Sequence, residues 1–148
     1  MSKYLIVIAV VIAGYFFLKD PAPSQVYING QEYGPKLLDK TNDSLSKIFN
    51  YRNKATNSED YVAILYRDSG TSDLLSWSET FSNYFTQQGF VFENSGANKK
   101  GIKGSTAIFI VPHYEQDVLL MYISPDISKI SIPTDSSAFD IISKISMK

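Results

Sequence analysis

The chain has no cysteine in its 148 residues, which excludes disulfides, thiolate zinc sites, cysteine nucleophiles and a lipid-modified cysteine. Histidine is nearly absent too. The single one, His113, rules out any metal centre that needs two or more imidazoles. Neither sign of charge prevails: 14 basic residues face 15 acidic ones, for a formal net charge of −1. No general field therefore draws the chain to nucleic acid or to an anionic surface. Also missing are a Gly-x-Ser-x-Gly elbow, a Walker sequence, a dinucleotide fingerprint and any internal repeat.

What is present at once is an apolar run from Tyr4 to Leu18, YLIVIAVVIAGYFFL, flanked by Lys3 and Lys19. As a helix it covers only about 22 Å of the roughly 30 Å hydrocarbon layer. The flanking lysines can snorkel to the headgroups, and the tyrosines near its ends suit the interface. A signal-peptide cut after Val11-Ile12-Ala13 is the alternative, but it would leave the apolar terminus Gly14-Tyr15-Phe16-Phe17-Leu18. The sequence thus predicts an uncleaved single-pass anchor over 1–19, with the amino terminus cytoplasmic and the remaining chain extracytoplasmic, periplasmic or extracellular. Ala9 and Ala13 form a small-xxx-small pair on that helix.

The rest of the chain suffices for one domain. Residues 20–34 read as a proline-containing stalk, Asp20-Pro21-Ala22-Pro23-Ser24, followed by a short hairpin around Asn29-Gly30. Residues 35–148 read as the extracytoplasmic α+β domain. Pro35 opens a helix reaching about residue 52, with Leu38, Leu45, Ile48, Phe49 and Arg52 on one face. Tyr61 to Arg67 is apolar on both faces, as a central strand is. Thr71 or Ser72 then caps a helix with Leu74, Trp77, Phe81 and Phe85 inward, ended by Gly89, and Phe90-Val91-Phe92 resumes as a strand. Residues 61–93 therefore form a β-α-β unit with parallel strands.

Residues 94–105, rich in Gly, Asn, Ser and Lys, read as a mobile loop or a long hairpin tip. Thr106 to Val111 and Val118 to Ser124 form an antiparallel pair, Ile127 to Ile132 an edge strand, and Asp135 or Ser136 caps a last helix with Phe139, Ile142 and Ile145 inward. The expected fold is α+β: a membrane helix, then a mixed sheet of four or five strands with two or three helices.

Three constellations merit a chemical reading. Arg67, Ser69, Gly70 and Thr71 lie between a strand and a helix start, where free amides hold anions, and Lys99, Lys100 and Lys103 would present positive charge nearby. His113, Glu115 and Asp117 alternate, so an extended backbone would aim three ligands to one side, although the same residues must also turn the chain. Ser69 with His113 would make a hydrolase pair only if folding joined them. None of these fixes a catalyst, a metal site or a cofactor.

The sequence is read as a membrane-anchored, non-catalytic accessory or structural protein whose domain binds another envelope or virion-membrane protein. The alternative is a tethered binding domain for a small anionic ligand or a cell-wall fragment, held by Arg67, Ser69, Gly70, Thr71 and the three lysines.

Overall fold

The computed structural model describes residues 22–35, 37–38, 46–55, 59–67 and 73–147. Its strands are β1 (Val26–Ile28), β2 (Gln31–Tyr33), β3 (Leu37–Leu38), β4 (Ser46–Arg52), β5 (Tyr61–Arg67), β6 (Val91–Ser95), β7 (Asn98–Lys103), β8 (Thr106–His113) and β9 (Val118–Ser124). The helices are α1 (Leu74–Gln87) and α2 (Ser137–Ser143), with one 3-10 turn at Ile127–Lys129. β1 and β2 form a separate hairpin. The other strands make one sheet in the order β3-β4-β5-β9-β8-β7-β6, in which the edge strand β3 is only two residues long.

Every strand pair in this sheet is antiparallel, which overturns the expected mixed sheet. The reason lies in the turns after α1. Gly96 and Gly104 adopt φ of 61° and 58°, conformations that favour glycine, and each sits first in a two-residue turn that folds β6, β7 and β8 into a meander. Residues 94–105, expected as a mobile loop or a long hairpin tip, are therefore mostly strand. β9 returns beside β8 and meets β5, while α1 carries the chain across β9, β8 and β7 to the far edge. β5 and β6 run in the same direction without pairing. Their expected neighbourhood fails because the meander supplies β6 with a nearer partner.

Two further elements differ from expectation. Residues 46–52 form strand β4 rather than the end of a helix begun at Pro35: Phe49 and Tyr51 point into one core, and Ile48, just before Phe49, packs on the other. Residues 127–132 make the 3-10 turn and an irregular segment rather than an edge strand. The apolar run 4–18 lies outside the described residues. Among the described residues, no helix is long and apolar enough to cross a membrane.

The sheet separates two cores. Val62, Ile64, Phe109, Val111, Leu120 and Tyr122 face the hairpin and α2, which add Val26, Ile28, Tyr33, Phe139 and Ile142. Ala63, Leu65, Ile108, Ile110, Leu119 and Met121 face the side covered by Leu74, Trp77, Phe81 and Phe85 of α1. Strands β5, β8 and β9 are thus buried on both faces, and their apolar runs follow from that. Each large side chain buried there stabilises by about 1.5–3 kcal/mol.

Local chemistry sets the boundaries. Asn29 and Gly30 have φ of 52° and 78°, as the type I′ turn of the β1–β2 hairpin requires. Asp73, rather than Thr71 or Ser72, caps α1: its carboxylate accepts the Ser76 amide at 2.7 Å. Gly89, with φ 100°, follows the helix. The hairpin belongs to the first core. Gly34 N donates to Arg52 O and Lys54 N to Glu32 O, which extends β4 along β2. At the other side Tyr27 and Ser146 exchange two backbone hydrogen bonds of 3.0 and 2.9 Å, stitching the first strand to the segment after α2.

Candidate functional site

The densest polar cluster gathers on Asp60, the residue just before β5, which is only 1% exposed. Tyr33, at the end of β2, donates its hydroxyl to Asp60 Oδ2 at 2.6 Å. Ser131 Oγ donates to the same oxygen at 2.6 Å, and the Tyr122 hydroxyl of β9 makes a further short bond to it. Asn53 Nδ2 reaches Oδ1 at 3.2 Å and also bonds Gln31 Oε1 at 2.6 Å. The Tyr33 and Tyr122 rings meet edge to face with centroids 6.3 Å apart. One carboxylate thus joins the hairpin, the ends of β4 and β5, β9 and the segment before α2.

The electrostatics follow from this geometry. Burial pushes the Asp60 carboxyl up, but the hydrogen bonds from Ser131, Tyr122, Tyr33 and Asn53 outweigh it and hold the group below the ordinary aspartate value. Burial first, then the bond to Asp60, pushes the Tyr33 phenol up to about 12. Burial, with Tyr33 and Asp60 beside it, raises Tyr122 as well. The carboxylate is ionised and its acceptor positions are occupied by internal donors. Such a group fastens segments together and is not poised to take a substrate proton.

Beside this cluster a cleft of about 340 Å³ is lined by Arg52, Asn53, Glu59, Asp60, Tyr61 and Pro125. Arg52 stands opposite Tyr61 in register, and Glu59 pairs with Lys129 at 3.2 Å. Burial raises the Tyr61 phenol against the opposing pull of Arg52.

Those of the residues singled out in the sequence that the structure describes are not gathered at one place. Arg67 ends β5, and Ser69, Gly70 and Thr71 lie outside the described residues. The three lysines belong to β7, not to a loop, and so alternate between faces. Lys99 is buried on the α1 side, opposite Ile110. Lys100 lies on the other side and donates to the Thr134 carbonyl. Lys103 Nζ sits 5.9 Å from the centroid of the Phe90 ring. Arg67 and Lys103 stand at opposite ends of the sheet, and two strands separate β5 from β7, about 14 Å of lateral distance.

The alternating set at 113–117 forms a turn. His113 Nδ1 accepts the Gln116 amide at 3.2 Å, so Nε2–H donates to the Ser143 carbonyl at 3.0 Å. Both ring nitrogens serve the fold. Among the described residues no group of three His, Asp or Glu side chains is placed to hold a metal.

A different feature is open to a partner. Among the described residues, β6 is the outer strand of the sheet and pairs only with β7. Its Val91 is 72% exposed, and Glu93, Asn94 and Ser95 are exposed with it. Val91, Glu93 and Ser95 share the face toward α2, where a cleft of about 260 Å³ is lined by Glu93, Ser95, Lys100, Asp135 and Phe139 among others. No sequence signal separated this edge from an interior strand, because Phe90-Val91-Phe92 is as apolar as β5. Asp60 was likewise hidden: its partners lie 7 to 71 residues away along the chain.

Comparison with protein-family models, with curated proteins and with solved structures finds no match for this chain.

Proposed function

We propose that this protein is a membrane-tethered, non-catalytic binding domain that accepts an extended segment of another envelope or virion-membrane protein along β6. The observation that carries the reading is the edge itself: five residues with an exposed valine and one row of backbone groups that no strand matches among the described residues. Such an edge pairs readily with a foreign strand, whose side chains alternate between the two faces. Glu93 forms no ion pair among the described residues, and it favours a basic residue in the incoming strand. The occupied acceptors of Asp60 and the structural role of His113 support a non-catalytic reading. The tether is the apolar run 4–18, with the domain on the extracytoplasmic side. The anionic-ligand alternative loses ground because the lysines lie on both faces of β7.

The test uses a photo-crosslinking residue at Val91 in the full chain, in its native membranes. One protein partner captured there, and lost when a bulky charge is placed alongside in Asn94→Lys, supports strand addition. Equal capture from a probe at exposed Tyr114, on the opposite end of β8, would refute it.

A further inference from the structure

The chain is already fastened to the domain at Ala22, and we infer that the domain is held against the bilayer, so that the strand it accepts comes from a protein of the same membrane. This rests on the membrane reading above and adds to it the reach of the tether. Ala22 is already part of the first core, with 5% of its surface exposed. Pro23 is pinned by the Tyr51 hydroxyl, which donates to its carbonyl at 2.8 Å. Ser24 and Gln25 pack so closely on Gly34 that a Cβ there would come within 3.1 Å of the Ser24 carbonyl and 2.9 Å of the Gln25 side chain. Val26 then starts β1 and is fully buried.

Only Lys19, Asp20 and Pro21 separate this fastened segment from Leu18, the last residue of the apolar run. Even fully extended, the chain from Leu18 to Ala22 spans only about 14 Å. Pro23, one of the two prolines that suggested a spacer, instead lies at the domain's own margin. A domain of this size is about 35 Å across, so every point on it, the β6 edge included, lies within about 50 Å of the apolar layer. The β6 edge is five strand spacings from β4, about 24 Å to the side of the pinned segment. That offset leaves it free to meet a neighbouring juxtamembrane segment.

The absence of cysteine makes the experiment direct, since one introduced thiol carries the only label. The full chain, with a donor dye on Ser24→Cys or on Asn83→Cys, is reconstituted into phosphatidylcholine vesicles bearing a headgroup acceptor. Both sites are exposed, and Asn83 lies on α1, across the sheet from the hairpin. Flotation with the vesicles is measured first, then energy transfer, with and without a 20-residue Gly/Ser spacer inserted between Pro21 and Ala22. That spacer adds about 25 Å of mean separation. The expected result is flotation, stronger transfer from position 24 than from 83, and a loss of about twofold or more at both positions with the spacer. Flotation with transfer unchanged by the spacer would overturn the inference and leave the membrane reading standing. Failure to float would overturn the membrane reading itself.

Discussion

The hydroxyl of Tyr33 and the carboxylate of Asp60, 27 residues apart in the chain, meet at 2.6 Å with both side chains buried. This bond ties the β1–β2 hairpin to the start of the central strand β5. Hydrogen bonds to a charged group contribute about 1.5–3 kcal/mol each, so Tyr33→Phe should lower stability by roughly that amount. Asp60→Ala should cost more, since it strands the Tyr33, Tyr122, Ser131 and Asn53 donors together. The double variant should fall short of the sum of the two by about 1 kcal/mol or more. Urea unfolding of all four proteins measures this, and strict additivity would show that the pair does not act as a unit.

The same cluster sets a pH window. Asp60 has a lowered folded value, so its contribution is present above the unfolded value of about 3.9 and lost as the pH falls through the lower folded one. Tyr33 is raised, so its contribution is intact below about pH 10 and lost as the pH rises toward about 12. Unfolding midpoints should therefore fall at both extremes. Tyr33→Phe should flatten the alkaline limb, and an alkaline limb identical to that of the unaltered chain would contradict this assignment.

Gly101 is required by its neighbour across the strands. A Cβ there would lie 2.6 Å from the Phe92 ring. Gly101→Val should cost about 2 kcal/mol in thermal or urea unfolding, as overpacking does. In a Phe92→Ala background the same change should cost far less. Equal costs in both backgrounds would remove the ring as the cause.

Asp73 is the cap of α1, and its carboxylate also faces the positive end of the helix. Asp73→Ala should reduce stability by about 1 kcal/mol, and Asp73→Ser should restore most of the loss. A change below the precision of unfolding measurements would mean that packing alone starts this helix.

Elements whose signal is local were legible in the sequence. The hairpin turn at Asn29-Gly30, helix α1 with its aromatic inner face, the two-faced strand β5, the β8–β9 pair and the last helix with Phe139 and Ile142 inward all follow from short-range pattern, while Ile145 is buried just past the end of that helix. The failures share a cause. In β4, Ile48 and Phe49 are adjacent and face opposite cores, which imitates one helical stripe. In β7, lysine and glycine mask the alternation, because Lys99 and Gly101 face α1 while Lys100 and Ile102 face away. Strand order was beyond reach, since the pairing of β5 with β9 joins residues more than 50 positions apart. The Asp60 cluster depends on that same pairing, and β6 became an edge only through the meander that follows it.

The exchange of hydrogen bonds between Tyr27 and Ser146 brings the opening and closing segments of the domain side by side. A short peptide joining residue 147 to residue 22, with new ends cut at the exposed Gly96 turn, should give a circular permutant that keeps both cores. The same adjacency means that a reporter fused after the last strand-like contact sits beside the hairpin.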